Sequence, residues 1–456
     1  MTAVQWVRRD LRLSDNPALR HAVDAGDGAV VPLFVLDPSL WGPAGQVRRT
    51  YLAASLRALD DELSGALHVR RGDPVDAVVA VARSAGASSV HVAADTGPYG
   101  RRRDAAVEAA LADAGIELVR TGCAYAVPPG AVRTKQGTPY AVFTPFSRAW
   151  NDHGWPDPAP RPDDVEWAAP EGASDDLYAE ADLGDLRLPP AGETAALARW
   201  ADFRDAGTDG LDGYAERRDR PDLAGTSVMS HHLKWGEVHP RTLLADLRGR
   251  RGDGARTFRT ELAWREFYAD VLWHHPHSAR EYYRAEYAGM VYDDPDDPDG
   301  RFEAWAQGRT GFPFVDAGMR QLLTEGWMHN RVRMVVASFL VKDLHLEWQL
   351  GARHFMRWLR DGDLASNSHG WQWAAGSGTD AAPYFRVFNP ITQGRRFDPD
   401  GTYVRRYVPE LAHLAGAAAH EPWNAPGGYD HDYPRPVVDH ADERAEALRR
   451  YNAMKG

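Results

Sequence analysis

The first part of the chain alternates between short apolar runs and amphipathic segments. Ala29–Leu36 is a nearly unbroken apolar run, as expected of a strand buried on both faces. Strands alternating with helices predict a doubly wound parallel sheet with right-handed crossovers. Because ligands of such sheets bind beyond the carboxyl ends of the strands, the loops after Leu36 and Ala94 are candidate binding edges. The pattern predicts strands Val4–Val7, Ala29–Leu36, Leu67–Arg70, Ser89–Ala93 and Ile116–Arg120, and helices Ala18–Ala25, Arg48–Leu63, Pro74–Ala85 and Arg101–Ala114.

The pattern changes near residue 150. Between residues 151 and 190 the chain has eleven acidic residues, two Arg and seven Pro, with few apolar clusters. Such a segment repels itself and resists helix formation, which is typical of a linker. From Thr194 onward helical patterns dominate, most clearly over Val315–Leu344 with an interruption at Gly326. We therefore expect an α/β domain over residues 1–127, a linker over 128–193 and an all-α domain over 194–456.

Composition limits the class of protein. The chain has 456 residues, 43% of them hydrophobic and 26% charged, which is typical of a soluble globular protein with two or three domains. Its start carries no apolar signal core, so we expect a cytoplasmic protein without membrane spans. The single cysteine, Cys123, excludes an internal disulfide and a multi-cysteine metal site. The net charge of −12 is only a weak objection to nucleic acid, because DNA contact needs a local basic patch.

Helical spacing gathers polar and aromatic side chains onto shared faces. Glu261, Trp264 and Arg265 fall on one stripe of a helix together with Tyr268. A second stripe holds Asn330, Arg333 and Met334, with Arg331 one step round the helix. These mixtures suit a pocket wall, and the alternative is an ordinary surface with extended arginines.

Two further stretches concentrate candidate chemistry. Asp361–Trp373 holds two carboxylates, an Asn and two indoles beside several glycines, which suits a cavity for polar edges and a flat aromatic face. The alternative is a Trp-anchored loop packed on a core. Thr226–Ser230 is a hydroxyl cluster at a predicted helix start, which suits either a phosphate or a simple N-cap. The histidine groups lack metal-ligand spacing, so no metal site is expected.

Several long motifs together closely resemble the photolyase/cryptochrome family. They occur in the family's order and cover nearly the whole chain. Within the family the chain is most similar to class I photolyases that repair cyclobutane pyrimidine dimers. The motifs are Val7–Asn16, Gly225–Ser230, Glu261–Tyr268, Phe312–Ala317, Trp327–Met334 and Asp361–Trp373 with Gly376–Arg386.

The resemblance implies an N-terminal Rossmann-like antenna domain and a helical FAD-binding domain. Arg333 would supply a cation near the reduced flavin, Asp361 would orient that guanidinium, and Asn367 would face the flavin N5. Matched position by position, the residues implied to bind FAD are Tyr214, Thr226, Ser227, Met229, Ser230, Arg265, Asn330, Arg333, Asp361, Asp363 and Asn367.

The resemblance also implies light-driven repair of damaged DNA. An electron would pass from excited, reduced FAD to a dimer that is flipped out of the duplex. Photolyases are among the enzymes known to flip their target bases in this way. Glu261 would hydrogen-bond the lesion and stabilise its radical anion. Arg331 would hold a phosphate. Trp264, Trp373, Asn330 and Met334 would complete the lesion pocket, and the basic rim would include Arg386, Arg395 and Arg396.

Two accessory features follow from the same resemblance. Trp371 and Trp348 match the inner members of the family's electron relay, and Tyr292 is the nearest candidate for the outer one. Asp95 with Arg48 and Arg49 would serve a second antenna chromophore. Gly97 stands where a Glu is usual, which favours an 8-hydroxy-5-deazaflavin over a folate, and an empty antenna site is the alternative.

Other members of the family offer alternative functions. A cryptochrome-type blue-light photoreceptor could lose lesion-pocket residues, which this chain keeps. A (6–4) photolyase would be expected to show a lesion-facing histidine, and His329 lies next to Asn330. UV-damaged DNA is the expected partner, and we expect a monomer.

Overall fold

The N-terminal strands form a parallel sheet in the computed structural model, which describes residues 2–176, 183–184, 186–296, 299–380 and 385–455. The strands are β1 (Thr2–Val7), β2 (Ala29–Leu36), β3 (His68–Arg71), β4 (Ser89–Ala94), β5 (Glu117–Cys123) and β6 (Glu166–Trp167). Their order is β3-β2-β1-β4-β5, and β6 pairs with the start of β2. Every pairing is parallel, which confirms the predicted doubly wound sheet.

The buried strands explain the apolar runs in the sequence. Seven of the eight residues of β2 are buried, and Val4 of β1 pairs with both Val31 and Val90. Helices cover the sheet, and Asn16 begins the first of them by accepting a hydrogen bond from the Leu19 N–H at 3.1 Å. Cys123 is buried at the end of β5, and burial raises the pKa of its thiol to about 11.

The described chain forms two compact units. Unit 1 comprises Met1–Asp182, Pro189–Ala206 and Ser227–Pro276, and unit 2 comprises Leu183–Leu188, Gly207–Thr226 and His277–Gly456. The predicted division over residues 1–127, 128–193 and 194–456 stays a prediction. The α-helices of unit 1 are Pro17–Ala25, Pro38–Trp41, Gln46–Glu62, Pro74–Ser84, Pro98–Asp113, Phe143–His153, Glu193–Asp205, Ser230–Trp235, Pro240–Asp246 and Asp253–His274.

The expected linker contains regular structure. Helix Phe143–His153 buries Phe143, Phe146 and Trp150, and β6 joins the sheet. Residues 177–182 and 185 of this segment lie outside the described residues. The acidic stretch therefore follows a helix whose apolar face packs within unit 1.

Unit 2 is helical around one apolar core, which includes Trp305, Phe314 and Leu340. Gly326 ends one helix in a left-handed conformation with φ of 62°, so the predicted interruption there is confirmed. The α-helices are Tyr214–Arg217, Arg301–Ala306, Pro313–Glu325, Asn330–Lys342, Trp348–Trp358, Leu364–Ala375, Pro390–Phe397, Thr402–Tyr407 and His440–Lys455. The short 3-10 helices are Gly207–Asp209, Pro276–Ala279, Ala285–Gly289, Pro409–Leu411, Gly416–His420 and Pro422–Asn424.

Two kinds of feature are missing from the described residues. None of their helices is both long and apolar enough to pass through a bilayer. No group of three or more His, Cys, Asp or Glu side chains in the same part of the chain is placed to hold a metal ion. Residues 381–384 of the Gly376–Arg386 motif lie outside the description.

Candidate active site

An ion pair in unit 2 joins two of the predicted cofactor residues. Arg333 Nη2 donates to Asp361 Oδ2 at 2.8 Å, and Arg333 Nε donates to the Met328 carbonyl at 2.8 Å. The Asp361 side chain is only 2% exposed, and its Oδ1 has no hydrogen-bond donor among the described residues. A buried carboxylate oxygen without a donor costs free energy, so this site fits a ligand that supplies an N–H or O–H.

The helix that follows presents two more predicted cofactor residues. Asp363 begins helix Leu364–Ala375, and its carboxylate accepts a hydrogen bond from the Ser366 N–H at 3.1 Å. Asn367 lies one turn further on, half-buried, and its Nδ2 donates to the Ala352 carbonyl at 3.1 Å. That bond holds the amide and leaves its oxygen as an acceptor.

The two predicted inner relay residues are both buried in unit 2. Trp371 and Trp348 are 3% and 1% exposed, and neither indole N–H has a partner among the described residues. Gly351 allows the close packing of their helices, because a Cβ at this residue would lie 2.0 Å from Trp371 Cη2. The Trp305 ring also contacts Trp371, at 6.0 Å between centroids.

Tyr292 lies beside a second tyrosine. The Tyr282 ring is 6.3 Å from the Trp348 ring, and its hydroxyl lies close to that of Tyr292. The Tyr282 hydroxyl donates to Glu347 Oε1 at 3.3 Å. Burial and the Glu347 charge raise the pKa of Tyr292 to about 12, although the neighbouring Tyr282 hydroxyl lowers it. The predicted outer relay residue, Tyr292, therefore lies beside a tyrosine that is next to Trp348.

The predicted lesion and phosphate residues of unit 2 lie at or near the surface. Asn330 is exposed at the start of helix Asn330–Lys342, while Trp373 is half-buried. Arg331 Nη2 donates to Asp219 Oδ2 at 2.7 Å, and Arg331 Nη1 lies 3.5 Å from Met334 Sδ. The three predicted rim arginines are all exposed: Arg386, Arg395 and Arg396.

His329 has a structural role in the same helix. It is 3% exposed, and its Nδ1 accepts a hydrogen bond from the Arg331 N–H at 3.2 Å, which caps the helix. Burial, reinforced by nearby arginines, lowers the pKa of His329 to about 4. The imidazole is therefore neutral at pH 7 and committed as an acceptor.

In unit 1, one face of helix Asp253–His274 carries the predicted stripe. Glu261, Trp264, Arg265 and Tyr268 are all half-buried, as a pocket wall requires. Trp264 stacks on Phe143, with centroids 3.7 Å apart and rings 7° from parallel. The stack covers one face of the indole and fixes its plane.

Arg265 is held by backbone and by an aromatic ring. Its guanidinium donates to the carbonyls of Ala124 and Leu233 at 3.0 and 3.1 Å. It also lies 4.5 Å from the centroid of the Tyr125 ring. This side chain is oriented before any cofactor binds.

The hydroxyl cluster is divided between the two units. Ser227 is buried, and its Oγ accepts a hydrogen bond from the Met229 N–H at 3.3 Å. Val228 has φ of 54°, a left-handed conformation that is strained for a β-branched residue. Met229 is buried, and Ser230 is exposed at the start of its helix. Within unit 2, Thr226 is half-buried and Tyr214 is buried.

Asp95 lies in a cleft of unit 1, at the carboxyl ends of the strands as predicted for this class of sheet. Its Oδ2 accepts from Arg103 Nη2 at 3.1 Å, and its Oδ1 accepts from the Gly97 N–H at 3.1 Å. Burial alone would raise the pKa of Asp95, but Arg8 and Arg103 lower it. The cleft is open to solvent, and its lining includes Arg8, Arg9, Asp95, Thr96, Ala124 and Tyr125.

The other two predicted antenna residues lie on helix Gln46–Glu62. Arg49 donates to the carbonyls of Trp41 and Gly42 at 3.0 and 2.6 Å, and it lies over the Trp41 ring. Arg48 is half-buried, and burial together with Arg49 lowers its pKa to about 10. Neither arginine lines the cleft around Asp95.

Four residues that shape these sites were not predicted from the sequence. Gly351 underlies Trp371, Phe143 stacks on Trp264, and Asp219 pairs with Arg331. Phe397 lies beneath the Arg331 guanidinium, 4.6 Å from ring centroid to Cζ. The only local signal was a lone carboxylate, Asp219, within an arginine-rich run. The other contacts join distant segments and leave no local pattern.

Comparison with known proteins gives the same class at both ends of the chain. Residues 3–163 match a family described as DNA photolyase, and residues 258–453 match the FAD binding domain of DNA photolyase. A deoxyribodipyrimidine photo-lyase of Halobacterium salinarum is 39% identical over 99% of this chain and 99% of that protein.

Solved structures agree with this comparison. A class III photolyase from Agrobacterium tumefaciens has a TM-score of 0.91 and 38% identity, covering 100% of this chain and 98% of that chain. An archaeal photolyase from Sulfolobus tokodaii, solved with two FAD molecules, has a TM-score of 0.83 and 29% identity, covering 99% and 100%. The match of residues 258–453 to an FAD binding domain indicates that the chain is a flavoprotein. The chain belongs to the photolyase/cryptochrome family.

Proposed function

We propose that the protein performs light-driven repair of cyclobutane pyrimidine dimers in DNA, as a carbon–carbon lyase. The observation that carries this proposal is the 39% identity to a deoxyribodipyrimidine photo-lyase over 99% of both chains. Because the sequence identity extends over both the sheet and the helical region, it supports the same repair activity for this protein.

FAD is the cofactor of the matched helical domain, and the residues present fit it. The buried Asp361 Oδ1 can accept a hydrogen bond, Arg333 supplies positive charge, and the Asn367 amide supplies a neutral polar edge. When bound and reduced, FAD supplies the photoexcited electron for ring opening. Asp361 holds the Arg333 guanidinium in place through a buried, charge-assisted bond. The other proposed FAD contacts are Tyr214, Thr226, Ser227, Met229, Ser230, Arg265, Asn330 and Asp363.

The proposed lesion contacts combine hydrogen bonding with stacking. Glu261 would bond the bases of the dimer, while Trp264 and Trp373 would pack against them. Aromatic stacking contributes roughly 1–3 kcal/mol per base, which offsets part of the cost of flipping. The stack of Trp264 on Phe143 supports this role, because a fixed indole loses little conformational entropy when a base binds.

The antenna proposal rests on the cleft at the carboxyl ends of the strands. A deazaflavin would bind near Asp95, whose carboxylate is already paired with Arg103. The family likeness includes a photolyase solved with two FAD molecules, so a second flavin is the rival occupant. Extraction and chromatography of the chromophores from the purified protein would distinguish them. The monomeric state and the cytoplasmic location stay predictions.

The (6–4) alternative is weakened by His329. A lesion-facing acid needs an exposed imidazole that exchanges protons near neutral pH. His329 instead is buried, caps a helix through Nδ1 and has its pKa lowered to about 4 by burial.

The test is repair of a duplex that carries one cyclobutane thymine dimer, with reduced holoprotein under blue light and in the dark. We expect light-dependent recovery of intact thymines and a large loss in Glu261→Gln. Asp253→Asn is the matched control, because Asp253 is an exposed carboxylate on the same helix. No repair by protein that retains reduced FAD would overturn the proposal, and repair of (6–4) DNA instead would favour the alternative.

A further inference from the structure

Two of the predicted phosphate-binding arginines share one aromatic ring. Phe397 ends helix Pro390–Phe397 and is 7% exposed. The Arg331 Cζ lies 4.6 Å from its centroid and the Arg396 Cζ lies 5.0 Å from it. The two guanidinium groups are therefore no more than about 10 Å apart, which spans a few nucleotides of one strand.

Asp219 is the negative charge of this cluster. Its Oδ2 accepts from Arg331 Nη2 at 2.7 Å, and its Oδ1 lies 3.8 Å from Arg218 Nε. The carboxylate is 34% exposed and the Arg331 side chain is 19% exposed, so both remain within reach of a ligand. No carboxylate of the described residues lies within ion-pair distance of Arg396. Asp219 is therefore shared between Arg331 and Arg218.

We propose that Asp219 is an internal competitor of DNA phosphate at Arg331, and that Phe397 is the platform that positions Arg331 beside Arg396. This inference rests on the proposed function, because it assigns a role within DNA binding. In the free protein Asp219 neutralises Arg331 and keeps its guanidinium extended over the ring. On binding, a phosphate oxygen takes the Arg331 Nη2–H group that Asp219 accepts from in the free protein, and Asp219 stays beside Arg218. Asp219 and Phe397 act through the arginines, so both are positioning residues.

The sign of the effect follows from charge. Three arginines, Arg218, Arg331 and Arg396, and one carboxylate carry a net charge of about +2, and removal of the carboxylate raises it by one. Binding of a duplex depends on salt with a slope of about −0.9 for each phosphate neutralised, so Asp219→Asn should steepen the slope by up to about 0.9. If both proteins bind equally at about 1 M salt, the variant then binds roughly eightfold more tightly at about 0.1 M. A purely structural role for Asp219 would weaken binding instead.

The experiment measures binding of a fluorescent duplex with one thymine dimer to the holoprotein in the dark, over a series of KCl concentrations. We expect Asp219→Asn to bind more tightly with a steeper slope. Glu446→Gln is the matched control, because Glu446 is a 27% exposed carboxylate bonded to two arginines, Arg449 and Arg450, elsewhere in unit 2. It removes the same charge and should leave the slope unchanged.

A second pair of variants tests the platform. Phe397→Leu should weaken binding by about twofold to fivefold, the equivalent of one exposed cation–π contact of roughly 0.5–1 kcal/mol. Phe397→Tyr keeps the ring and should restore the affinity. In an Arg331→Gln background the gain from Asp219→Asn should shrink, because the two residues act together.

Two failures can be told apart. If wild-type protein does not bind the duplex, or Arg331→Gln has no effect, the proposed DNA contact itself is wrong. If Arg331→Gln weakens binding but Asp219→Asn does not strengthen it, or Glu446→Gln strengthens it equally, only the role of Asp219 is overturned. Equal affinity of Phe397→Leu and wild type would remove the platform.

Discussion

Gly351 is the residue whose substitution tests the packing around the predicted relay most directly. A Cβ there would lie 2.0 Å from Cη2 and 2.5 Å from Cζ3 of Trp371, and 2.6 Å from Leu340 Cδ2. Both neighbours are buried, so neither can move into solvent. Three such contacts place the overpacking cost at the upper end of the usual range, about 3 kcal/mol. Alanine regains about 1 kcal/mol of helix propensity, so Gly351→Ala should lower the free energy of unfolding by about 2 kcal/mol.

The assay is scanning calorimetry of the holoprotein. A loss of about 2 kcal/mol corresponds to a fall of about 4–8 °C in the thermal midpoint for a unit of this size. Arg353→Ala is the control, because Arg353 is exposed on the same helix and surface substitutions stay within about 0.5 kcal/mol.

A second substitution separates this clash from a general loss of stability. Phenylalanine lacks the Cη2 and Cζ3 atoms of tryptophan, so Trp371→Phe removes the two closest contacts. Gly351→Ala should therefore cost about 1–3 kcal/mol less in the Trp371→Phe background than in the wild type. Equal costs in the two backgrounds would refute the packing argument, as would a Gly351→Ala midpoint no lower than that of Arg353→Ala.

Three other substitutions have expected outcomes. Val228→Asn should raise the thermal midpoint by an amount equivalent to about 1 kcal/mol, since Asn tolerates the φ of 54° that strains Val228, and a lower midpoint would contradict this. His329→Asn keeps a helix-capping acceptor but removes a group whose folded pKa of about 4 lies below its unfolded value of 6.5. The wild type therefore loses stability as the pH falls from about 6.5 to about 4. By pH 5 its free energy of unfolding in urea should have fallen by about 2 kcal/mol more than that of the variant. An identical pH dependence of stability in the variant and the wild type would contradict the lowered pKa of His329. Arg396→Gln should reduce the salt slope of DNA binding by about 0.9, whereas Arg395→Gln should change it less, because Arg395 is ion-paired with Glu421. Equal changes of the salt slope in the two variants would show that the Arg395–Glu421 ion pair does not affect DNA binding.

The sheet could be predicted from the sequence because strand burial leaves a local pattern. The predicted bounds of Ala29–Leu36 are those of β2, and the interruption at Gly326 is where one helix ends. Helix Phe143–His153 was assigned to the linker, although Phe143, Phe146 and Trp150 follow helical spacing. The acidic, proline-rich stretch directly after it dominated the composition of that region.

The candidate site could be predicted as chemistry but not as geometry. The family resemblance implied that Asp361 would orient the Arg333 guanidinium, and the structure places their side chains 2.8 Å apart. Nothing local indicated that Asp219 would meet Arg331 or that Gly351 would lie against Trp371. These contacts depend on chain segments that pack together only in the folded unit, so no periodicity records them.

Glu266 shows why a motif read from sequence can mix two roles. It follows Arg265 in the motif Glu261–Tyr268, yet it is 3% exposed and faces the interior of unit 1. Its carboxylate accepts hydrogen bonds from the Ala126 and Val127 N–H groups at 2.5 and 3.1 Å, and from Trp150 Nε1 at 2.5 Å. Burial raises the pKa of Glu266 and these three bonds oppose that rise, so loss of the donors would leave a costly buried carboxyl group. The inward face of this helix is thus bonded both to the end of the predicted α/β domain, at Ala126 and Val127, and to Trp150 in the predicted linker, while Glu261, Trp264 and Arg265 lie on its half-buried face.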